Sequence, residues 1–298
     1  MNKIYTASIC SLPRTGGKLF SMIEERCSEM QISIPEFYNM SENELNKYFT
    51  FLNTKFISYF INNRYKIYHK VSSEINFIEN IYGGSCILRN DIAYPKKLKS
   101  NLNKYSPPIL YAIGNLNLLK NNAAGIIGSR NPSQIGLKTA YNIAYQNVLD
   151  DNIIISGYAK GIDYQAHLSA LSNSGKSIFI LPYPLIRFND RIFKDESLKN
   201  EISIEGNFLL ISEYLTSYAL SMKSMPIVRN RIIAALSDII YVIEDKLNSG
   251  TLNTALKAEE LGIPLQVVDY NEIMDNPSGN DYLIKKGVKK ISLLEKHI

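Results

Sequence analysis

Four short stretches of this chain combine glycine, hydroxyl, amide and basic groups in a way that suits an anion. They are Gly128-Ser129-Arg130, Ser156-Gly157-Tyr158-Ala159-Lys160-Gly161, Arg229-Asn230-Arg231 and Ser249-Gly250-Thr251. Glycine lets the backbone turn sharply and come close to a ligand. Successive amides in such a turn form a concave nest for negative charge, and a following helix adds its free amides and positive dipole end. The Arg130 guanidinium is a planar fork matched to phosphate, and Lys160 can add a point charge. Arg229 and Arg231 flank Asn230 where a helix is expected to start. Cations there oppose the dipole, which points to a compensating anion. The ligand is therefore expected to be polyanionic.

Other chemistries find no support. There is no Walker pattern and no G-x-G-x-x-G with an acidic ribose ligand, so neither an ATPase nor a dinucleotide cofactor is expected. HExxH, GxSxG and paired metal-ligand clusters are missing from the sequence, which has three histidines, His69, His167 and His297. His167 stands four residues after Asp163, a helix N-cap candidate, and reads as a structural hydrogen-bonding group. Glu213 and Glu244 follow apolar runs and read as capping groups or partners for the arginines. No catalytic residue, metal or cofactor is assigned.

The elements that must position these residues are legible in the apolar pattern. From about residue 120, short β-branched runs alternate with amphipathic segments. The runs are Ala124–Ile127, Ile153–Ile155, Ile178–Leu181, Phe208–Ile211, Ile239–Ile243 and Leu265–Val268. They are continuous, as strands buried on both faces are. Helices are expected over Gln134–Leu149, Asp163–Asn173, Arg191–Ile204, Arg229–Leu236 and Thr251–Leu261. This alternation predicts an α/β fold with a doubly wound, mostly parallel sheet and right-handed crossovers. Ligands on such sheets bind beyond the carboxyl ends of the strands, where all four stretches fall.

Before residue 80 the period is helical. Ile9, Leu12, Phe20, Ile23, Leu45, Phe49 and Leu52 recur at i, i+3, i+4 spacing, and Ser41 with Glu44 forms a capping-box start. Leu12–Lys18 reads as a tight interhelical turn with a faint similarity to a helix–hairpin–helix. Two domains follow from this change of character: residues 1–80, small and all-helical, and residues 81–298, Rossmann-like.

Composition narrows the setting. The 298 residues carry 33 basic and 28 acidic side chains, a net charge of +5, and 45% are hydrophobic. The charge is uneven. Residues 1–110 hold 14 basic and 9 acidic side chains, the full surplus of +5, and the remainder holds 19 of each. Cys10, Cys27 and Cys86 are odd in number and form no CxxC, which argues against a disulfide frame or a zinc site. No run reaches the length of a membrane span. A soluble, cytoplasmic protein with reduced thiols is expected.

In order along the chain stand Tyr94-Pro95, Pro107-Pro108, Gly114-Asn115, Gly128-Ser129-Arg130, Ser156-Gly157-x-Ala159-x-Gly161-Ile162-Asp163, Ala166-His167, Ser212-Glu213, Arg229-Asn230-Arg231, Ser249-Gly250-Thr251 and Gly279-Asn280. This series resembles the DprA/Smf family of DNA-processing proteins. The resemblance implies an extended Rossmann-like domain that binds single-stranded DNA, protects incoming strands in natural transformation and helps load the recombinase RecA. It implies a homodimer with no established catalytic activity. Arg130 and Lys160 would contact DNA phosphates, with Arg229 and Arg231 beside them. The helical N-terminal domain would be SAM-like or helix-hairpin-helix-like, and the C-terminal winged helix of some members is expected to be absent.

Departures occur at Leu181–Phe188 and at Met225, where the family has phenylalanine before a proline. Two other ligand classes therefore stay in view. One is a sensor of a nucleotide-derived signal. The other is a LOG-like nucleotide hydrolase, although Thr254 stands where such enzymes place a glutamate.

Overall fold

The computed structural model describes residues 2–187, 195–199, 201–202, 206–215, 224–271 and 273–292. They group into two compact units, each described by itself. The first comprises the described residues within Met1–Ile113, Tyr183–Ile186 and Ser212–Met222, and the second the other described residues. The expected boundary at residues 80 and 81 thus falls inside the first unit.

Five helices begin the chain: α1 (Asn2–Cys10), α2 (Gly17–Glu29), α3 (Ile34–Asn39), α4 (Glu42–Tyr48) and α5 (Thr54–Asn80). Their starts are written locally. Ser41 and Glu44 form the expected capping box on α4, and Ser33 with Glu36 repeats it on α3. The side chain of Asn53 accepts from the Phe56 amide at the start of α5. Their apolar stripes meet in a core of Ile9, Phe20, Ile23, Phe37, Leu45, Phe49, Ile57 and Phe60, all fully or almost fully buried. Leu12–Lys18 is an interhelical turn, with Arg14 in the left-handed region at φ 64°. Two strands complete this part, β1 (Ser85–Leu88) and β2 (Ile109–Gly114), with α6 (Lys96–Leu102) between them. They pair antiparallel, Ser85 opposite Ala112 and Leu88 opposite Ile109. Cys10, Cys27 and Cys86 form no disulfide among the described residues, and burial pushes the Cys27 and Cys86 thiols up to about 12.

The second unit is strand–helix alternation: β3 (Ala123–Ile127), α7 (Gln134–Leu149), β4 (Ile153–Ser156), α8 (Ile162–Ser172), β5 (Ser177–Ile180), α9 (Glu196–Lys199), β6 (Phe208–Ser212), α10 (Met225–Leu236), β7 (Ile239–Val242), α11 (Gly250–Glu260), β8 (Leu265–Asp269), α12 (Ser278–Lys285) and β9 (Lys289–Ser292). The strands lie in the order β6-β5-β4-β3-β7-β8-β9. Each neighbouring pair in that series is parallel. Residues of β3, β4, β5 and β6 are buried throughout, as expected of strands covered on both faces. The order reverses between β3 and β7, so their carboxyl ends open the crevice where such folds bind ligands.

Three local expectations are corrected. The helix expected from Arg229 starts a turn earlier, at Met225, because Pro226 lies in its first turn, where a fixed φ and a missing N–H are harmless. Gly161, at φ 90°, takes the N-cap of α8, and Asp163 lies inside the first turn. Of the helix expected over 191–204, Glu196–Lys199 is helical, residues 195, 201 and 202 are described outside any helix, and the rest lies outside the described residues.

Asn280 closes the far side of the sheet. It is fully buried, and its Nδ2 donates to the carbonyls of Ile243 and Val268, both at 2.8 Å. Its Oδ1 accepts from the Asp245 amide at 2.8 Å. The Gly279-Asn280 pair of the sequence series thus fastens the ends of β7 and β8. Asn280→Ala orphans three buried backbone groups and is expected to cost at least about 2 kcal/mol of stability, measured by urea unfolding.

Candidate nucleic-acid interface

The loop after β3 is held by backbone and carboxylate together. The Ser129 amide donates to the Glu244 carbonyl at 2.6 Å, and its own carbonyl accepts from the Ile162 amide at 3.1 Å. A side chain at Gly128 would run into Ile162, so glycine there lets α8 pack against the turn. Ser133 caps α7, its Oγ accepting from the Gly136 amide at 2.9 Å. The Glu244 carboxylate accepts from the Ser133 amide and from its Oγ at 2.8 Å. The amides expected to be open at the start of α7 are therefore already partnered in part. Glu244 caps this helix, and among the described residues it pairs with no arginine.

The loop after β4 rests on a buried arginine. Arg229 is 4% exposed, and its Nη1 donates to the carbonyl of Gly157 at 2.6 Å and to that of Ile180. It thereby ties the end of β4 to the end of β5. A Cβ on Gly157 would strike the guanidinium, which accounts for the glycine. Asp163, also buried, accepts from the Gly157 amide at 3.2 Å. Burial pushes its carboxyl above the usual range, against the pull of Arg229 and the loop amides. The phosphate contact expected of Arg229 is thus not what its position offers, because its charge lies under the loop.

His167 is the structural residue the sequence implied. It is fully buried, stacks on Phe179 at 3.8 Å between ring centroids, and pairs its Nδ1 with Ser177 Oγ at 2.6 Å. Burial and the nearby Arg229 charge lower its pKa to about 3.

The third and fourth stretches fasten loops to one another. Ser249 Oγ accepts from the Leu252 amide at 2.9 Å and donates to Asp245 at 2.6 Å. Thr251 Oγ1 donates to the Gly128 carbonyl at 3.0 Å, and Asn230 Nδ2 donates to the Gly250 carbonyl at 3.0 Å. Arg231, half-buried, donates to the carbonyl of Val228 at 2.7 Å. Ser156 is buried, with its Oγ on the Ile126 carbonyl at 2.5 Å. Glu213 belongs to the first unit.

Arg130 and Lys160 remain exposed. With Gly161, Tyr158 and Tyr164 they line an open groove of about 760 Å³ at the ends of β3 and β4. The two tyrosines were not among the sequence candidates. Tyr158 is held in the left-handed region at φ 54°, and both hydroxyls donate to the Asp195 carboxylate, at 3.4 Å and 3.1 Å. The signal for Tyr158 was an aromatic residue in the same loop as Lys160, the pattern of a stacking platform, whereas Tyr164 lies inside α8 and gave none.

Residues 85–298 match the family described as DNA recombination-mediator protein A. The chain belongs to that family. The DNA processing protein DprA of Streptococcus pneumoniae is 34% identical over 188 residues, covering 63% of this chain and 64% of that relative. The protein of the same description from Bacillus subtilis is 31% identical over 200 residues, covering 66% and 65%. The alignments thus take in a little under two thirds of these relatives' length. A solved structure of the Streptococcus pneumoniae protein superposes with a TM-score of 0.76 at 25% identity, covering 99% of this chain and 98% of that one. A Helicobacter pylori DNA processing protein A, solved to describe its single-stranded DNA binding mode, gives a TM-score of 0.58 at 27% identity, over 71% and 91%. The mediator-family match includes every one of the four stretches above.

Arg229→Ala leaves Asp163 buried without its counter-charge and is expected to lower stability by about 3 kcal/mol. Arg130→Ala, at an exposed position, should change it by less than about 0.5 kcal/mol. Urea unfolding of the two variants makes the comparison. His167 supplies a pH signature. Its folded pKa of about 3 lies below the ordinary 6.5, so below pH 6.5 the unfolded chain takes up a proton that the folded chain refuses. Its contribution to stability should fall with decreasing pH by up to about 1.4 kcal/mol per unit, and His167→Asn should flatten that slope.

Proposed function

We propose that the chain binds single-stranded DNA in the groove at the ends of β3 and β4, with Arg130 and Lys160 on the phosphates and Tyr158 or Tyr164 against a base. One observation carries this reading. The acids of the strand ends, Asp163, Glu244 and Asp245, are turned inward and hydrogen-bonded, while Arg130 and Lys160 are exposed and pair with no carboxylate among the described residues. Such a rim with aromatic neighbours suits a flexible phosphodiester strand. Family membership supports the same ligand, since the Helicobacter pylori relative is described by its single-stranded DNA binding.

In this reading Gly128, Ser129, Ser156, Gly157, Gly161, Ser249, Gly250 and Thr251 shape the rim, and Asn230 and Arg231 sit beside it. Arg229 is a positioning residue. The protein acts by binding rather than by catalysis: Thr254, in the place of a hydrolase glutamate, is buried with its Oγ1 on the Gly250 carbonyl at 3.0 Å. A role in processing incoming DNA, as a homodimer that passes the strand to RecA in the cytoplasm, follows the family. Among the described residues no helix is long and apolar enough to cross a membrane.

Fluorescence anisotropy with oligo-dT, duplex DNA and mononucleotides over a salt series tests the reading. Oligo-dT should bind in preference to duplex, with affinity falling steeply as salt rises. Arg130→Ala and Lys160→Ala should each weaken binding about tenfold and reduce the log–log salt slope by about 0.7. Salt-insensitive binding of mononucleotides, release of free base, or unchanged affinity in both variants would overturn it.

A further inference from the structure

The first unit carries a second basic groove that the reading above does not use. It lies where the Pro13-Arg14 turn meets the start of α5, has a volume of about 510 Å³, and is lined by Arg14, Phe51, Lys55, Phe56 and Tyr59 among others. Phe51 and Tyr59 are 36% and 44% exposed, unusual for large rings with a core close by. No acidic residue lines the groove. The first amides of α5 and the positive end of its 27-residue dipole add to the same sign of charge.

The basic character continues along the helix. Lys55, Tyr59, Asn62, Lys66 and Lys70 recur at helical spacing, and all five are exposed. At about 1.5 Å per residue this stripe is about 22 Å long. The helix has two carboxylates, and neither offsets it. Glu74 is 7% exposed, and Glu79 is held by Lys3 at 2.5 Å. Arg64 turns inward onto the carbonyls of Tyr38 and Met40. Among the described residues no carboxylate pairs with Arg14, Lys55, Lys66 or Lys70. The stripe therefore holds part of the surplus of +5 that residues 1–110 contribute to the chain.

We propose that this groove and stripe form a second binding site for single-stranded nucleic acid. A base lodges against Phe51 and Tyr59, and the phosphates run along Arg14, Lys55, Lys66 and Lys70. Exposed rings beside unpaired cations select a strand whose bases are unstacked, which a duplex and an acidic peptide do not offer. The site lies in a different unit from the strand-end groove and is independent of it.

Photo-cross-linking of the full chain to oligo-dT carrying 5-iodouracil, with peptide mapping, tests the proposal. Cross-links are expected at Phe51 or Tyr59. The Lys55→Glu/Lys66→Glu/Lys70→Glu variant should lose at least about fivefold of that yield and lower the salt slope by about 2, at about 0.7 per phosphate contact. Tyr59→Ala, a milder change, should lose the Tyr59 cross-link whether or not the triple variant folds. Arg130→Ala/Lys160→Ala should keep it, so loss of the strand-end groove and loss of this site are told apart. No cross-link within residues 51–70, an undiminished yield in both first-unit variants, equal labelling by duplex, or equal displacement by polyglutamate would overturn the proposal.

Discussion

A guanidinium buried beneath two strand ends is the constraint on which the strand-end groove depends. Arg229 reaches from α10 to the carbonyls that close β4 and β5. Carbonyls at strand ends have no ladder partner, and leaving them dry is costly. A planar donor fork on a rigid helix satisfies both at once and fixes the spacing of the two loops. The charge thereby buried is balanced by Asp163, which spends its remaining capacity on the Gly157 amide. His167 beneath the same loop is held neutral by burial first and by the Arg229 charge second, stacked on Phe179 and bonded to Ser177. One cation thus fixes the geometry above it, while burial sets the protonation of its neighbours, with the cation's charge opposing burial at Asp163 and adding to it at His167.

The same economy governs the other strand ends. Glu244 fastens the β3 loop to the start of α7, Asp245 holds Ser249 at the start of α11, and Asn280 locks β7 to β8. Glu244 and Asp245 are acceptors placed where helix starts present donors, and Asn280 is a donor placed where strand ends present carbonyls, so each contact is made without an ion pair. What stays exposed at the ends of β3 and β4 is basic, with the half-buried Asp195 held by the two tyrosines. A scaffold of inward acceptors and outward cations presents a positive edge from a region whose sequence holds equal numbers of acids and bases.

Much of this was legible before any coordinates. Apolar β-branched runs marked six strands to within about a residue, four of them buried on both faces and two, β7 and β8, partly exposed. The four stretches were found because glycine, hydroxyl and basic residues cluster at strand ends for few reasons. The direction in which a side chain points was not legible. Arg229 and Arg130 look alike in sequence, and a one-turn extension of α10 through Pro226 is what carries Arg229 inward. Nor was the partial satisfaction of the α7 amides visible, since it comes from Glu244, 111 residues away from Ser133. The β1–β2 pair was missed because it is antiparallel and stands ahead of the strand–helix alternation that marked the other strands.

The inward carboxylates and outward cations at the strand ends amount to a charged double layer. The field of such a layer decays faster than that of a net charge and is screened within about 8 Å at physiological salt. A strand passing at a distance is not drawn in, and only one already touching the rim meets the cations. In the proposed binding, the attraction of this edge is then felt mainly on contact, and dissociation carries the selectivity.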